Sequence, residues 1–232
     1  MKRIVFILSI MLVSNLASAQ EYAEKREQMV NTQIIERGIR DIDVIDAMRS
    51  VERHKFVPAP YKSKAYSDRP LPIGHGQTIS QPYIVALMTE LLDIEQGEKI
   101  LEIGTGSGYQ AAILSEITPY VYSIEIVAPL AKEAKQTLQG NGYQNIYLKT
   151  GDGYKGWKEY APFDGIIVTC SPSDIPKPLK DQLAEGGRMV IPVGGPYIQK
   201  LVLLEKKEGK IRRKHVSNVM FVPMVDDEGT RY

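Results

Sequence analysis

Apolar positions recur along this chain with two periods, and their succession predicts its architecture. Across residues 21–37, Met29, Val30 and Ile34 among polar neighbours suit an amphipathic helix, with Gly38 as its stop. A second short helix is expected next, capped by Asp41 or Asp43 and carrying Val44, Ile45, Ala47 and Met48 on its apolar side. The chain then leaves through His54-Lys55-Phe56-Val57-Pro58. From Pro58 to Gly76 prolines, glycines and tyrosines are dense, which predicts a long irregular segment of the functional rather than the disordered kind. After Ser80 the pattern is regular. Helices are expected over 84–92, 109–116, 129–140 and 178–184, the last ending at Gly186-Gly187. Strands are expected over 99–103, 121–126, 146–150, 165–169, 188–193, 200–205 and 216–223. Strands alternating with helices, then two strands in succession, give a doubly wound, mostly parallel α/β sheet with a C-terminal antiparallel hairpin at its edge.

The strongest local signal is Ile100-Leu101-Glu102-Ile103-Gly104-Thr105-Gly106-Ser107-Gly108, a buried strand running into a glycine turn and then a helix. Glycines let the backbone approach a ligand closely, and Glu102 would be a charged anchor at the strand end. A dinucleotide fingerprint needs its third glycine one position later, where Tyr109 stands. The G-x-G-x-G spacing resembles motif I of class I methyltransferases more than an NAD site, although a plain tight βα connection would need no ligand. Two acids follow at the next strand ends. Glu125, about twenty residues on, suits the hydroxyls of a ribose, and Asp152, in Thr150-Gly151-Asp152-Gly153, suits an adenine amino group. Each alone reads as a surface carboxylate; together they outline an adenosine-shaped crevice.

Composition narrows the field. The 232 residues are 43% hydrophobic and 25% charged with a formal net charge of +1, as in an ordinary globular domain. Acid and base are mixed, so no nucleic-acid footprint is visible; the basic run around Lys206-Lys207 and Lys210 to Lys214 is expected to be a solvated hairpin. A single cysteine, Cys170, excludes an intramolecular disulfide and a cysteine-only zinc site, and reads as a small buried residue. His54, His75 and His215 are not paired at ligand spacing, so no metal is expected. The N-terminus differs from the rest: Lys2-Arg3, an apolar stretch from Ile4 to Leu16, and Ala17-Ser18-Ala19 before Gln20 have the form of a secretory signal peptide over residues 1–19. It is shorter than the ~20 apolar residues that span a bilayer, so no lasting anchor is expected after cleavage. The expectation is export, to the periplasm, of one domain over 20–232 whose helical and loop part, about 20–80, covers a substrate site.

The segment Leu71-Pro72-Ile73-Gly74-His75-Gly76-Gln77-Thr78-Ile79-Ser80-Gln81-Pro82 is the most diagnostic. With Arg53-His54-Lys55-Phe56-Val57-Pro58 before it, the glycine turn after it, and Phe163 to Thr169, Gln182 to Gly194 and Phe221-Val222-Pro223-Met224 further on, the chain strongly resembles protein-L-isoaspartate O-methyltransferases from Glu21 to Val225. The resemblance implies a Rossmann-like class I fold and S-adenosyl-L-methionine as methyl donor. It implies that the acceptor is the carboxylate of L-isoaspartyl residues in damaged proteins, whose methyl ester closes to a succinimide and so starts repair. It makes Ser80 the active-site serine, with Thr78, Ile79 and Gln81 lining the pocket. Gly104, Glu125, Ile126, Asp152 and Gly153 would hold the adenosyl part, together with Glu102, Thr105, Gly106, Ser107 and Gly108 of the turn. Cys170-Ser171-Pro172 and Val225 depart from the family pattern, as does the signal-like leader, since most relatives are cytoplasmic. Ser80, two residues before Pro82, also reads as a helix cap. A methyltransferase with another substrate, or an exported non-catalytic binder of damaged or extended chains, are the rival functions. A monomer is favoured.

Overall fold

In a computed structural model of the protein, residues 18–232 are described; all but the last two residues of the expected leader over 1–19 lie outside them. Helix α1 covers 18–29 and widens into a π-helical turn, Val30–Ile35, that buries Val30 and Ile34. Helix α2, Ile42–Ser50, starts at Asp41, whose carboxylate accepts from the Asp43 and Val44 amides at 2.9 and 3.1 Å. Its apolar side is Val44, Ile45, Ala47 and Met48, as the spacing predicts. Among the described residues no helix is long and apolar enough to cross a membrane.

The segment expected to be irregular is partly ordered. It holds two 3-10 turns' worth of chain, Ala59–Lys64, and then a small antiparallel pair, β1 (Leu71–Gly74) and β2 (Gln77–Ile79). Gly74, His75 and Gly76 all have positive φ (94°, 51° and 70°) and turn the chain between the two strands. Strands of four and three residues, one containing Pro72, leave too little alternation for the sequence to declare them.

The main sheet has the order β5-β4-β3-β6-β7-β8-β9. Strands β3 (Lys99–Ile103), β4 (Tyr120–Glu125), β5 (Ile146–Thr150), β6 (Phe163–Val168) and β7 (Leu183–Gly194) run parallel, and β8 (Gln199–Lys207) and β9 (Lys210–Val219) complete it antiparallel. One face is buried by α1, α2, α3 (Pro82–Leu92), α4 (Tyr109–Ile117) and α5 (Ala128–Gly140). The other packs Leu101, Ile103, Ile166 and Met189 against Leu179 of α6 (Lys177–Gln182) and Trp157. The two halves of the winding diverge at β3, between β4 and β6, and the strands' carboxyl ends open a crevice there.

Two boundaries differ from expectation. Helix α6 stops at Gln182, because Leu183 already pairs with Phe163; Gly186-Gly187 lies within β7 at a register shift, before Arg188 pairs with Gly165. Strand β9 starts at Lys210 rather than 216, and so carries most of the basic cluster itself. As an edge strand with both faces largely exposed it shows no alternation to read.

Candidate active site

The glycine turn is built by the sheet. Leaving β3, Gly104 donates its amide to the Ile124 carbonyl of β4 at 2.8 Å and adopts φ +98°. A Cβ there would collide with the Thr169 hydroxyl, which donates to the Gly104 carbonyl at 2.8 Å. Only glycine fits on both counts. Gly106 (φ +56°) donates its amide to Glu125 Oε2 at 2.8 Å, and the Val127 amide donates to Oε1 at 3.0 Å. These bonds hold the Glu125 carboxylate, 6% exposed, at the carboxyl end of β4 with a lone pair left on each oxygen.

Beneath the turn Glu102 is fully buried and does not reach the crevice. Its Oε2 lies 2.5 Å from the Ser123 hydroxyl, which meets the Thr105 hydroxyl at 2.6 Å. Burial pushes its pKa to about 8, with the neighbouring Glu125 charge adding to the rise. Glu102 is therefore a neutral prop for the turn, not the charged anchor expected at the strand end.

Asp152 follows β5. Oδ1 accepts from the Tyr154 amide at 2.9 Å, and Oδ2 accepts from the Tyr232 hydroxyl at 2.6 Å with Lys155 Nζ at 3.1 Å. Its side chain is only 3% exposed. The Tyr232 ring stacks on Tyr154, centroids 4.1 Å apart at 16°. Burial and the Asp152 carboxylate raise the Tyr232 pKa, so the hydroxyl stays protonated and is the donor.

These elements surround a cleft of about 580 Å³. Of the residues expected in a cofactor site, Thr78, Gly104, Gly106, Glu125, Ile126 and Gly153 line it. Ile79 at the end of β2, Thr105 of the turn and Asp152 are buried and do not line it. Gly108 heads α4 against Leu138, and Ser107 faces a separate groove with Lys55 and Glu133. Gln77, Thr169, Cys170 and the segment from Val222 to Val225 complete the lining. Burial raises the Cys170 thiol's pKa, so it stays a neutral wall.

A second pocket of about 700 Å³ adjoins the first, sharing Thr78, Thr169 and Val222 with it. Ser80 and Gln81 line it together with Pro70, Ile84 and the chain from Asn218 to Phe221. Ser80 does not cap α3: Gln81 occupies the cap position without a side-chain bond, and the Ser80 hydroxyl has no partner among the described residues. Its carbonyl accepts instead from Arg53 Nη2 at 2.7 Å. Arg53 is fully buried, gives Nε to the Ala65 carbonyl at 2.7 Å and stands 4.8 Å over the Tyr109 ring. Sequence reasoning gave no role to Gln77, Thr169, Met224 or Tyr232. Thr169 had a signal, standing where β6 ends beside β3; the C-terminal residues had none, being joined to the site only by folding. Among the described residues no group of three or more His, Cys, Asp or Glu could hold a metal ion.

A mostly parallel sheet that delivers a glycine turn from its central strand and an acid from the next is a nucleotide-binding α/β arrangement, and with its G-x-G-x-G spacing and its likeness to solved structures it is that of a class I methyltransferase. The chain belongs to the protein-L-isoaspartate(D-aspartate) O-methyltransferase family, whose model matches residues 24–229. A protein-L-isoaspartate O-methyltransferase of Opitutus terrae is 49% identical over 97% of this chain and 98% of its own length. One of Syntrophobacter fumaroxidans is 53% identical over 90% of this chain and 97% of its own. Among solved structures, a protein-L-isoaspartate O-methyltransferase superposes with a TM-score of 0.80 at 29% identity, over 88% of this chain and 67% of that one. A Plasmodium falciparum protein assigned to the same enzyme class, solved with S-adenosyl-L-homocysteine, gives 0.76 at 29% identity over 86% and 97%.

Proposed function

We propose that the chain transfers the methyl group of S-adenosyl-L-methionine to the side-chain carboxylate of L-isoaspartyl residues in damaged polypeptides, the ester then closing to a succinimide that begins repair. Family membership supports the reaction. The observation that carries it onto these residues is the meeting of two clefts at Thr78, Thr169 and Val222, one framed by the glycine turn and Glu125, the other by Ser80. Bound S-adenosylmethionine supplies a methyl group activated by its sulfonium. On this reading Glu125 takes the ribose hydroxyls on its free lone pairs, Asp152 accepts from the adenine amino group, and Gly104, Gly106 and Gly153 keep their stretch of wall free of side chains.

The second pocket contains no titratable side chain among its described lining residues; its polar groups are those of Thr78, Ser80, Gln81, Thr169 and Asn218. That suits the chemistry. A carboxylate, with a reference pKa of about 4, is already ionised near neutral pH and needs no general base. Neutral donors can orient it without neutralising it by a fixed cation; of these the Thr169 hydroxyl is engaged with the Ile103 and Gly104 carbonyls, and the Ser80 hydroxyl is among those left free. Placing one carboxylate oxygen in line with the methyl group is worth roughly 7–11 kcal/mol in favourable intramolecular models.

The test is incubation of residues 20–232 with labelled S-adenosylmethionine and paired isoaspartyl and aspartyl peptides. Label should enter the isoaspartyl peptide alone. Equal labelling of both would remove the substrate assignment, and binding of S-adenosylhomocysteine without turnover would favour a non-catalytic binder. The leader supports export to the periplasm, a proposal that cell fractionation and N-terminal sequencing of the exported chain test; the expected first residue is Gln20.

A further inference from the structure

We propose that Tyr232 is a positioning residue for the cofactor's base: its hydroxyl fixes the Asp152 carboxylate in the orientation that accepts the adenine amino group, and so sets the preference for adenine. This rests on the reading of the cleft as a S-adenosylmethionine site. Asp152 immediately precedes Gly153, which lines the cleft, and its Oδ1 spends one lone pair on the Tyr154 amide, leaving one free. Oδ2 is taken by the Tyr232 hydroxyl at 2.6 Å. A carboxylate on an aspartate rotates about one terminal bond with a broad profile, and the Tyr154 amide on Oδ1 leaves that rotation a single restraint; the Tyr232 hydroxyl on Oδ2 supplies the second. Lys155 is a poor candidate, its side chain being 68% exposed.

Tyr232 is itself well held. Its ring stacks on Tyr154, its amide donates to the Met224 carbonyl at 3.1 Å, and its carbonyl accepts from both the Ser173 amide and hydroxyl at 2.7 Å. Arg231 beside it pairs with Val225 in a β-bridge, and Met224 and Val225 line the cleft. The segment from Met224 to Tyr232 thus lines the cleft at one end and braces Asp152 at the other.

The experiment measures binding of S-adenosyl-L-homocysteine and of S-inosyl-L-homocysteine, in which an oxo group replaces the amino group, to the wild type, Tyr232→Phe and Ser173→Ala. The wild type should hold the adenine compound about tenfold or more tighter, the scale of one hydrogen bond to a charged acceptor. A wild type that binds neither compound would sink the cofactor reading itself. Tyr232→Phe keeps the stacked ring and loses only the hydroxyl. Its affinity for S-adenosylhomocysteine should fall several-fold, its adenine preference should shrink toward unity, and KM for S-adenosylmethionine should rise while kcat at saturation holds. Ser173→Ala loosens the same segment but leaves the hydroxyl, so it should lower the melting temperature without changing the preference. An unchanged or larger preference in Tyr232→Phe, or an equal loss in Ser173→Ala, would overturn the proposal.

Discussion

At the scale of single residues, Ser80 separates a structural from a functional hydroxyl. Its hydroxyl caps nothing and bonds to nothing among the described residues, so Ser80→Ala and Ser80→Gly should each move stability by less than about 0.5 kcal/mol, as at ordinary surface positions. Both should retain S-adenosylhomocysteine binding and lose roughly 10- to 100-fold in turnover of isoaspartyl peptide, the worth of one hydrogen bond to a carboxylate. Near wild-type turnover in the glycine variant would end its assignment as the orienting group. The same scale shows what the sequence could not disclose. Gly104, Gly106 and Glu125 were legible because spacing along one β-turn-α-β unit fixes their place. Strand alternation says that Glu102 and Ile103 point to opposite sides but not which side is the cleft, and so Glu102 was placed in the site when it lies beneath it. Tyr232 meets Asp152 across 80 positions of chain, a distance over which local pattern carries no information.

Strand β3 and the turn after it carry a pH dependence of their own. In the folded protein Glu102 holds its proton up to about pH 8, against 4.5 for an unburied glutamate. Between those values the folded state binds more protons than the unfolded one, so this group's contribution is full below the lower value and is lost as pH rises through the upper one. Glu102→Gln, which keeps the shape and a partner for Ser123, should therefore gain stability relative to wild type steadily from pH 5 to 8 in denaturant unfolding. A difference that stays flat with pH would mean Glu102 is ionised in place. The N-terminal cover and α3 are joined by Arg53, which bridges the Ala65 and Ser80 carbonyls. Arg53→Met should cost roughly 1–3 kcal/mol of stability and lower peptide turnover, with S-adenosylhomocysteine affinity unchanged because the link acts on Ser80 and not on the cofactor cleft. Equal loss of cofactor binding would show that the two clefts do not respond separately. Among elements, the long buried strands and the helices between them declared themselves by period. The β1–β2 pair did not, nor did the early start of β7, since a glycine pair at a bulge carries the same letters as a helix stop.

On the whole molecule, a ligand that fills the cleft touches β2, β3, β4, the residues just after β6 and the segment after β9, and so ties both ends of the described chain to the sheet centre. S-adenosylhomocysteine at about a hundred times its Kd should add roughly 2.7 kcal/mol, or about 5–10 °C in the melting temperature of a domain this size. No shift would mean that the cleft does not bind it. The strand directions also separate the molecule into a working end and a remote one. Strand β9 delivers Asn218 and Val219 to the second pocket after a climb from a two-residue turn at Glu208-Gly209, whose φ angles of 54° and 69° are those of a tight hairpin. At ~3.3 Å per residue that turn stands about 30 Å from the chemistry. It is thus a handle for the experimenter: a fluorophore, surface tether or short peptide tag grafted there should leave methyl transfer intact, so the enzyme can be fixed to a support with both clefts facing the solution.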